Sequence, residues 1–307
     1  MKKIPILLTI FNREDTATEA IKSIRDYKPD RLYIAADGPR RGKEEESQRC
    51  EQTRKAVLDA IDWHCDVKTL FREDNLGCAK AMYSAISWFF EQEECGIICE
   101  DDIVLSQDFY RMCEELLPKY KDDDRIMQIT SQYYGPHNET ADTYSFERTP
   151  FIWGWATWRR AWVKYMDMEM TAWPKFRIRK MLSTYGWFQT LMVWHYWHKA
   201  YSNLSFCTSW ATRWHFAAVV NELLCLAPHT NLGLNVGCNS GTHYSDDAPD
   251  PHKHLKIGKL IFPLQHPDII QLDKHQLDID NAEFLRLRKL GAKKKIKKFL
   301  KKLLPQG

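Results

Sequence analysis

The sequence predicts an α/β protein built on a mainly parallel, Rossmann-like sheet with helices on its faces, on three observations. Short apolar runs alternate with stretches of helical periodicity over the first 130 residues. The strand-like runs end in polar or acidic residues followed by turn residues. One of them, Gly96 to Ser106, passes from Ile97-Ile98-Cys99 straight into Glu100, Asp101 and Asp102.

Taken in order, Lys3 to Phe11 is an apolar, β-branched-containing run that predicts a first strand, ending in Thr9-Ile-Phe-Asn-Arg13. Ala17, Ala20, Ile21 and Ile24 fall at helical spacing, so a helix follows from about Asp15 to Tyr27, and Pro29-Asp30 breaks it. Arg31 to Ala36 is the second strand, closed by Asp37-Gly38-Pro39. Residues 42–51 are charged and expected to be exposed. Thr53 to Ile61 is a further helix, Asp66 to Phe71 a third strand, and Asn75-Leu-Gly77 opens a long helix to about Glu91.

Ile97, Ile98 and Cys99 form the continuous apolar run of a strand buried on both faces. Ser106 then offers an N-cap, Asp108 an acid in the first turn, and positions 109, 112, 113, 116 and 117 an apolar face at helical spacing. A short strand, Ile126 to Thr130, follows. The three carboxylates therefore sit at the C-terminal end of a buried strand, where an open α/β sheet presents its ligand crevice. Adjacent carboxylates repel, and a hard divalent cation, Mg²⁺ or Mn²⁺, held by one or two of them plus substrate phosphates, would balance the charge. The other reading is a solvated acidic turn.

With 307 residues, 44% of them hydrophobic and 28% charged, the chain can bury a full core. Three regions are expected: 1–130 as a nucleotide-binding half in outline, 131–250 as a second half of different, aromatic-rich composition, and 251–307 as a C-terminal extension. No run is long enough to span a membrane, and Asn12-Arg13-Glu14-Asp15 stands where a signal peptide would need small residues for cleavage. Nine cysteines without repeated CxxC spacing argue against a disulfide framework or a zinc site, so a reduced, cytoplasmic protein is expected.

The net charge of +3 hides an asymmetry. Ten of the 44 basic residues lie in Phe284 to Gly307, which holds no acid, leaving 34 against 41 acids elsewhere. Within that tail Ile296, Phe299, Leu300, Leu303 and Leu304 share one helical face, with lysines around the others. Such a basic amphipathic helix predicts peripheral binding to an anionic membrane surface on its cytoplasmic side. Nucleic acid is not an expected partner, because the body is acidic and carries no known binding module.

A dinucleotide fold would place G-x-G-x-x-G after the first strand and a P-loop would show G-x-x-x-x-G-K-[ST]; neither occurs. Binding is therefore assigned to strand-end side chains and a cation. From about Ser131 aromatic residues concentrate: Tyr133-Tyr134, Trp153, Trp155, Trp158, Trp162, Trp173, Trp187, Trp194, Trp197, Trp210 and Trp214. Their density suits an acceptor-binding region, with ordinary aromatic core as the alternative for most of them. His195 and His198 have no third ligand nearby and make no zinc site.

Thr9-Ile-Phe-Asn-Arg13, Ala36-Asp-Gly38, Asn75-Leu-Gly77 and Glu100-Asp-Asp102, in that order at strand ends, resemble the successive signatures of GT-A fold glycosyltransferases. The similarity is to bacterial family 2-like enzymes and to the N-acetylglucosaminyltransferase I group, in which the acidic triplet is the DXD-type motif. The resemblance implies that Asp102 ligates Mn²⁺ or Mg²⁺, with Glu100 and Asp101 nearer the sugar and ribose. It implies that Asp37 meets the base and that Thr9, Phe11, Asn12 and Arg13 line the nucleotide pocket. Asn75, Gly77 and Lys80 join the candidate donor contacts, Lys80 reading more readily as an exposed residue than as a phosphate contact. Trp153-Gly154-Trp155 looks like the Gly-Trp element at the sugar-donor pocket, where Gly154 would permit close backbone approach.

Asn203 to Tyr244 follows the same pattern with one departure. Many relatives carry Asp where this chain has Ala211, and that Asp is the expected general base for an inverting transfer. Asp246, Asp247 and Glu222 are the alternative candidates; otherwise the reaction retains configuration or the chain is catalytically weak. His243 is the candidate second cation ligand or diphosphate contact. The expected function is a metal-dependent glycosyltransferase moving a sugar from a nucleotide-diphosphate donor, first of all a UDP-sugar. The expected acceptor is a glycan or lipid-linked oligosaccharide of surface polysaccharide synthesis. A sugar-nucleotide nucleotidyltransferase and a carbohydrate-binding pseudoenzyme are the alternatives.

Overall fold

The computed structural model of the chain describes residues 3–135, 142–182, 184–202, 209–239, 255–279 and 282. Its strands are β1 (Ile6–Ile10), β2 (Arg31–Ala36), β3 (Asp66–Phe71), β4 (Cys95–Glu100), β5 (Ile103–Leu105), β6 (Ile126–Thr130), β7 (Tyr144–Glu147), β8 (Trp155–Trp158), β9 (Leu224–Pro228) and β10 (Gly233–Asn235). Its α-helices are α1 (Glu14–Tyr27), α2 (Glu44–Asp59), α3 (Cys78–Phe90), α4 (Gln107–Lys119), α5 (Arg159–Tyr165), α6 (Arg179–Leu182), α7 (Trp187–Ser202) and α8 (Ala211–Val220).

Eight strands form one sheet in the order β3-β2-β1-β4-β8-β6-β9-β7. The run β3-β2-β1-β4 is parallel throughout; β8 and β7 are the antiparallel members. This is the mainly parallel α/β architecture that the alternation of elements predicts, and the one sheet runs through both expected halves. β1 shows why its residues form a central strand. Ile6, Leu8 and Ile10 enter the core shared with α1, α2 and α4, whereas Leu7 enters the core shared with α3, α5 and α8. Both faces are covered, so the strand is apolar except at Thr9, next to the site end.

β4 is buried as predicted, with Ile97 and Ile98 fully inaccessible. Ser106 caps α4, its Oγ accepting the Phe109 N–H at 3.3 Å. Residues 42–51 are mostly exposed as expected, but they are helical from Glu44, and α2 turns Glu46, Cys50, Thr53 and Val57 inward. Glu46 can be buried because Arg40 bonds it through the backbone N–H at 3.0 Å and through its guanidinium.

A second, two-stranded sheet pairs β5 antiparallel to β10. It brings Val236 beside the acidic triplet, with the Val236 N–H donating to the Asp102 carbonyl at 2.8 Å. The aromatic half is largely core. Trp155 is 1% exposed, stacks on Trp210 at 5.4 Å and packs against Trp162 and Trp214. Met170, Trp173, Met181, Tyr185, Trp197 and Phe216 form a further core around α6, α7 and α8. The seven described cysteines are free thiols. No helix among the described residues is long and apolar enough to cross a membrane.

Candidate functional site

The parallel register sets the site. Thr9 of β1 lies opposite Glu100 of β4, and Ile10 lies opposite Ala36 of β2. Phe11, Asp37 and Asp101 therefore emerge together at the C-terminal edge of three adjacent strands, where a doubly wound sheet opens its crevice. A cleft of about 750 Å³ occupies this edge. Thr9, Phe11, Asn12, Arg13, Asp37, Asn75, Gly77, Glu100 and Asp101, all candidates from the sequence, line it.

Asp37 shapes one wall. Its carboxylate accepts the backbone N–H groups of Gly38, Leu76 and Gly77 at 3.0 to 3.2 Å. Asn75 Nδ2 donates to the Gly38 carbonyl at 2.8 Å, tying the two turns together. Gly77 adopts φ +75°, which a residue without Cβ takes at low cost, and so turns the chain into α3. Asp37 thus spends much of its acceptor capacity on the loop; a base would meet a wall that Asp37 organises. From α2, Arg54 Nη2 donates to the carbonyls of Asp37 and Arg72 and fixes the ends of β2 and β3.

The opposite wall is electrostatic. The Arg13 guanidinium bonds Asp101 and reaches Asp102 Oδ2 at 3.0 Å, while the Phe11 N–H donates to Asp101 Oδ2 at 3.1 Å. Burial alone would depress the Arg13 pKa, but attraction to Asp101 and Asp102 outweighs it and holds the side chain charged. Burial pushes the Asp101 carboxyl up to about 6, Arg13 opposing and Asp102 adding to the rise. Burial, reinforced by Asp102 and Asp101, pushes Glu100 up to about 8, so this acid can carry a proton near neutrality and donate it to a ligand oxygen.

The charge balance expected from a cation is thus supplied in part by Arg13. Among the described residues no group of three or more His, Cys, Asp or Glu side chains is arranged to hold a metal ion. The donor set present, the oxygens of Asp101 and Asp102, suits a hard cation that takes one or two protein carboxylates and completes its shell with phosphate oxygens and water. Asp102, the expected metal ligand, does not itself line the cleft; it lies beside Gly237, 15% exposed, with its carboxylate 3.0 Å from Arg13. His243, Asp246 and Asp247 lie outside the described residues, as does the segment Ile296 to Leu304.

Other candidates are placed elsewhere. Lys80 is exposed on α3 and does not line the cleft. Trp153 is held through its backbone, its N–H donating to Gln132 and its carbonyl accepting from Ser131, both at 2.7 Å. Gly154 does permit a close approach, but to β5: a Cβ there would stand 2.3 Å from Leu105 Cδ2. Trp155 is core and presents no ring face to a ligand. Glu222 stands exposed before β9, whose first residue pairs with the first of β6, and it reaches Lys180 at 3.5 Å. That is the N-terminal edge of the sheet, opposite the acidic triplet, so Glu222 is not brought to the cleft and the base assignment is corrected there.

The structure adds cleft residues that the sequence reading passed over: Arg40, Arg49 and Arg72. Arg72 donates to Ser84 Oγ at 2.7 Å, and burial lowers its pKa. With Arg13, which is paired to Asp101 and Asp102, these guanidiniums place cationic and acidic groups around one cleft, which suits an anionic ligand carrying hydroxyl groups.

No family model matches the chain. No curated protein matches it either. Among solved structures, a UDP-glucose pyrophosphorylase complexed with UDP-glucose is 10% identical over 76% of this chain and 94% of its own, with a TM-score of 0.40. The inositol-1-phosphate CTP transferase from T. maritima is 8% identical over 79% of this chain and 94% of its own, TM-score 0.35. The glycosyltransferase GlyE of Streptococcus pneumoniae TIGR4 is 11% identical over 58% of this chain and 41% of its own, TM-score 0.31. None of these likenesses assigns a reaction to this chain.

Proposed function

We propose that the chain is a glycosyltransferase that binds a nucleotide-diphosphate sugar, a UDP-sugar first of all, in the cleft at the ends of β1, β2 and β4. One observation carries this reading. Four separate sequence segments, Thr9–Arg13, Asp37, Asn75–Gly77 and Glu100–Asp101, converge on one cavity of a size suited to a nucleotide. Asp37 and Asn75 hold the wall against which the base and ribose pack. Arg13, Arg49 and Arg72 face the anionic part of the donor, and Glu100 in its protonated form hydrogen-bonds a sugar or ribose oxygen.

A hard divalent cation bound by Asp102, and by Asp101 where Arg13 releases it, would supply charge neutralisation of the diphosphate leaving group. The acceptor, a glycan or lipid-linked oligosaccharide of surface polysaccharide synthesis, gives up its hydroxyl proton to a base. Asp246 and Asp247 remain the candidates for that base, Ala211 having no carboxylate. Peripheral attachment through Ile296 to Leu304 would bring a lipid-linked acceptor within reach. A sugar-nucleotide nucleotidyltransferase is the second reading, supported by the same cleft; the turn after β1 lacks the glycine-rich, basic phosphate loop such an enzyme should show.

Calorimetric titration with UDP and GDP, with and without Mn²⁺, beside an Asp102→Ala variant, tests the donor site; hydrolysis of UDP-sugars then tests transfer chemistry. Cation-dependent binding lost in the variant is the expected result. Absence of binding for either nucleotide under every cation would remove the donor assignment.

A further inference from the structure

From Met170 to Asn221 the chain contains no acidic residue, although acids outnumber bases in the body as a whole. The same stretch presents Lys175, Arg177, Arg179, Lys180 and Lys199 at the surface. It also builds α7, a peripheral helix that packs against α6 and α8. One side of α7 is buried through Gln189, Thr190, Trp197 and Ala200. On the other side Trp187 and Leu191 face outward one turn apart, and the stripe continues through Trp194, His198 and Tyr201, whose rings lean on the buried Trp173. Trp187 is 64% exposed, and Leu182, Leu191, Tyr196 and Tyr201 are exposed with it. The Trp194 and His198 rings stack at 5.3 Å and stiffen the stripe.

Large apolar side chains left in water on neighbouring helical turns mark a surface with a partner. The residue types choose among partners. Trp and Tyr favour the boundary between lipid headgroups and acyl chains, where an apolar ring and a polar N–H or O–H are both satisfied. Lys180 is paired with Glu222 at 3.5 Å, but Lys175, Arg177, Arg179 and Lys199 lie in the acid-free stretch and complement anionic headgroups, and long Lys and Arg stems keep their charge at the interface while their methylenes lie along apolar surface. Another soluble protein would not call for an acid-free surface in an otherwise acidic body.

We infer that the exposed end of α7 at Trp187 and Leu191, with the cationic rim formed by Lys175, Arg177, Arg179 and Lys199, is a docking surface for an anionic lipid bilayer. This goes beyond the donor-site reading and does not use the tail segment Ile296 to Leu304. The two contacts are separable by mutation.

The test is flotation of the full chain with phosphatidylcholine vesicles, alone or with about one third phosphatidylglycerol, at low and high salt. It is run in a background in which Lys297, Lys298, Lys301 and Lys302 are changed to Gln. The expected result is salt-sensitive binding to the anionic vesicles, reduced about tenfold or more by Trp187→Ser with Leu191→Ser. Arg177→Glu with Arg179→Glu should give a loss of similar size. All these positions are exposed, so unchanged circular dichroism and unchanged nucleotide titration are expected of both variants. Equal binding to neutral and anionic vesicles, or binding unaffected by either folded variant, would overturn the inference. Loss of nucleotide binding in the unmutated chain would count against the donor site and leave this surface standing.

Discussion

Asp37 accepts the backbone N–H of Gly77 at 3.1 Å across 40 residues of sequence, so the end of β2 and the entry to α3 are one unit. The same carboxylate takes the N–H groups of Leu76 and Gly38. Asp37→Ala leaves these donors without their acceptor. Hydrogen bonds to a charged group contribute about 1.5 to 3 kcal/mol each, and water recovers part of that here, so a net loss of about 3 kcal/mol is expected. Nucleotide affinity should fall with it, because the wall at Asn75 and Gly77 loosens. Denaturant unfolding and nucleotide titration of the variant check both outcomes; an affinity unchanged at reduced stability would separate the loop from the site.

Arg13 stands where a cation is expected. Arg13→Gln removes the counter-charge from Asp101, whose side chain is 7% exposed, and leaves a carboxylate in a dry place. Breaking a fully buried pair costs about 3 to 5 kcal/mol, and Arg13 at 28% exposure places this one nearer about 2 to 3 kcal/mol. The same variant frees Asp101 and Asp102 for a divalent ion. Mn²⁺ should therefore raise the melting temperature of Arg13→Gln more than that of the wild type, and Asp102→Ala in that background should abolish the gain. Thermal scans with and without Mn²⁺ measure it.

The strand ends were legible because each apolar run breaks on an acid or a polar residue, and backbone register does the rest. Thr9 to Arg13, Asp37, Asn75, Gly77, Glu100 and Asp101 needed only parallel order to meet. Arg49 was hidden because its helix begins on Glu44, Glu45 and Glu46, a run that reads as solvated charge; the inward positions Glu46, Cys50, Thr53 and Val57 start with an acid. Arg72 follows a strand end with no spacing signal at all. Gly154 shows a different limit, since a glycine announces close approach without naming what approaches. Here it is Leu105, and at φ +73° alanine is strained as well. Gly154→Ala is expected to cost about 2 kcal/mol or more, with partial recovery on adding Leu105→Ala, as read by unfolding curves of the single and double variants.

His215 gives the fold a pH dependence. Its Nε2 meets the Tyr185 hydroxyl at 2.5 Å, and its ring lies against Trp197. Burial lowers its pKa from 6.5 to about 4. Between those values the unfolded chain binds a proton that the folded chain does not, so stability is full above pH 6.5 and falls as pH drops toward 4. The loss is of order 2 kcal/mol after allowance for partial exposure. His215→Phe should flatten the stability profile between pH 7 and 5, measured by denaturant unfolding, relative to the wild type.

Gly237 sits against the Arg13–Asp102 pair so closely that a Cβ would lie 2.6 Å from Asp102 Oδ2 and 2.7 Å from Arg13 Nη1. The contact follows from β10, which pairs with β5 and is locked by the Val236 N–H bond to the Asp102 carbonyl at 2.8 Å. The backbone cannot retreat without breaking that pairing, so the side chains must move. Gly237→Ala therefore displaces Asp102 and Arg13 from each other while leaving the core around Ile97 and Ile98 untouched. Stability should fall by about 1 kcal/mol, since a partly exposed pair is weakened and little apolar contact is lost. Nucleotide binding in the presence of Mn²⁺ should fall by about tenfold on the proposed function, in which Arg13 lines the cleft and Asp102 beside it holds the cation. The two effects differ in size, and that difference is the diagnostic quantity. If affinity tracks stability alone, or stays unchanged, the Arg13–Asp102 side of the cleft does not touch the donor.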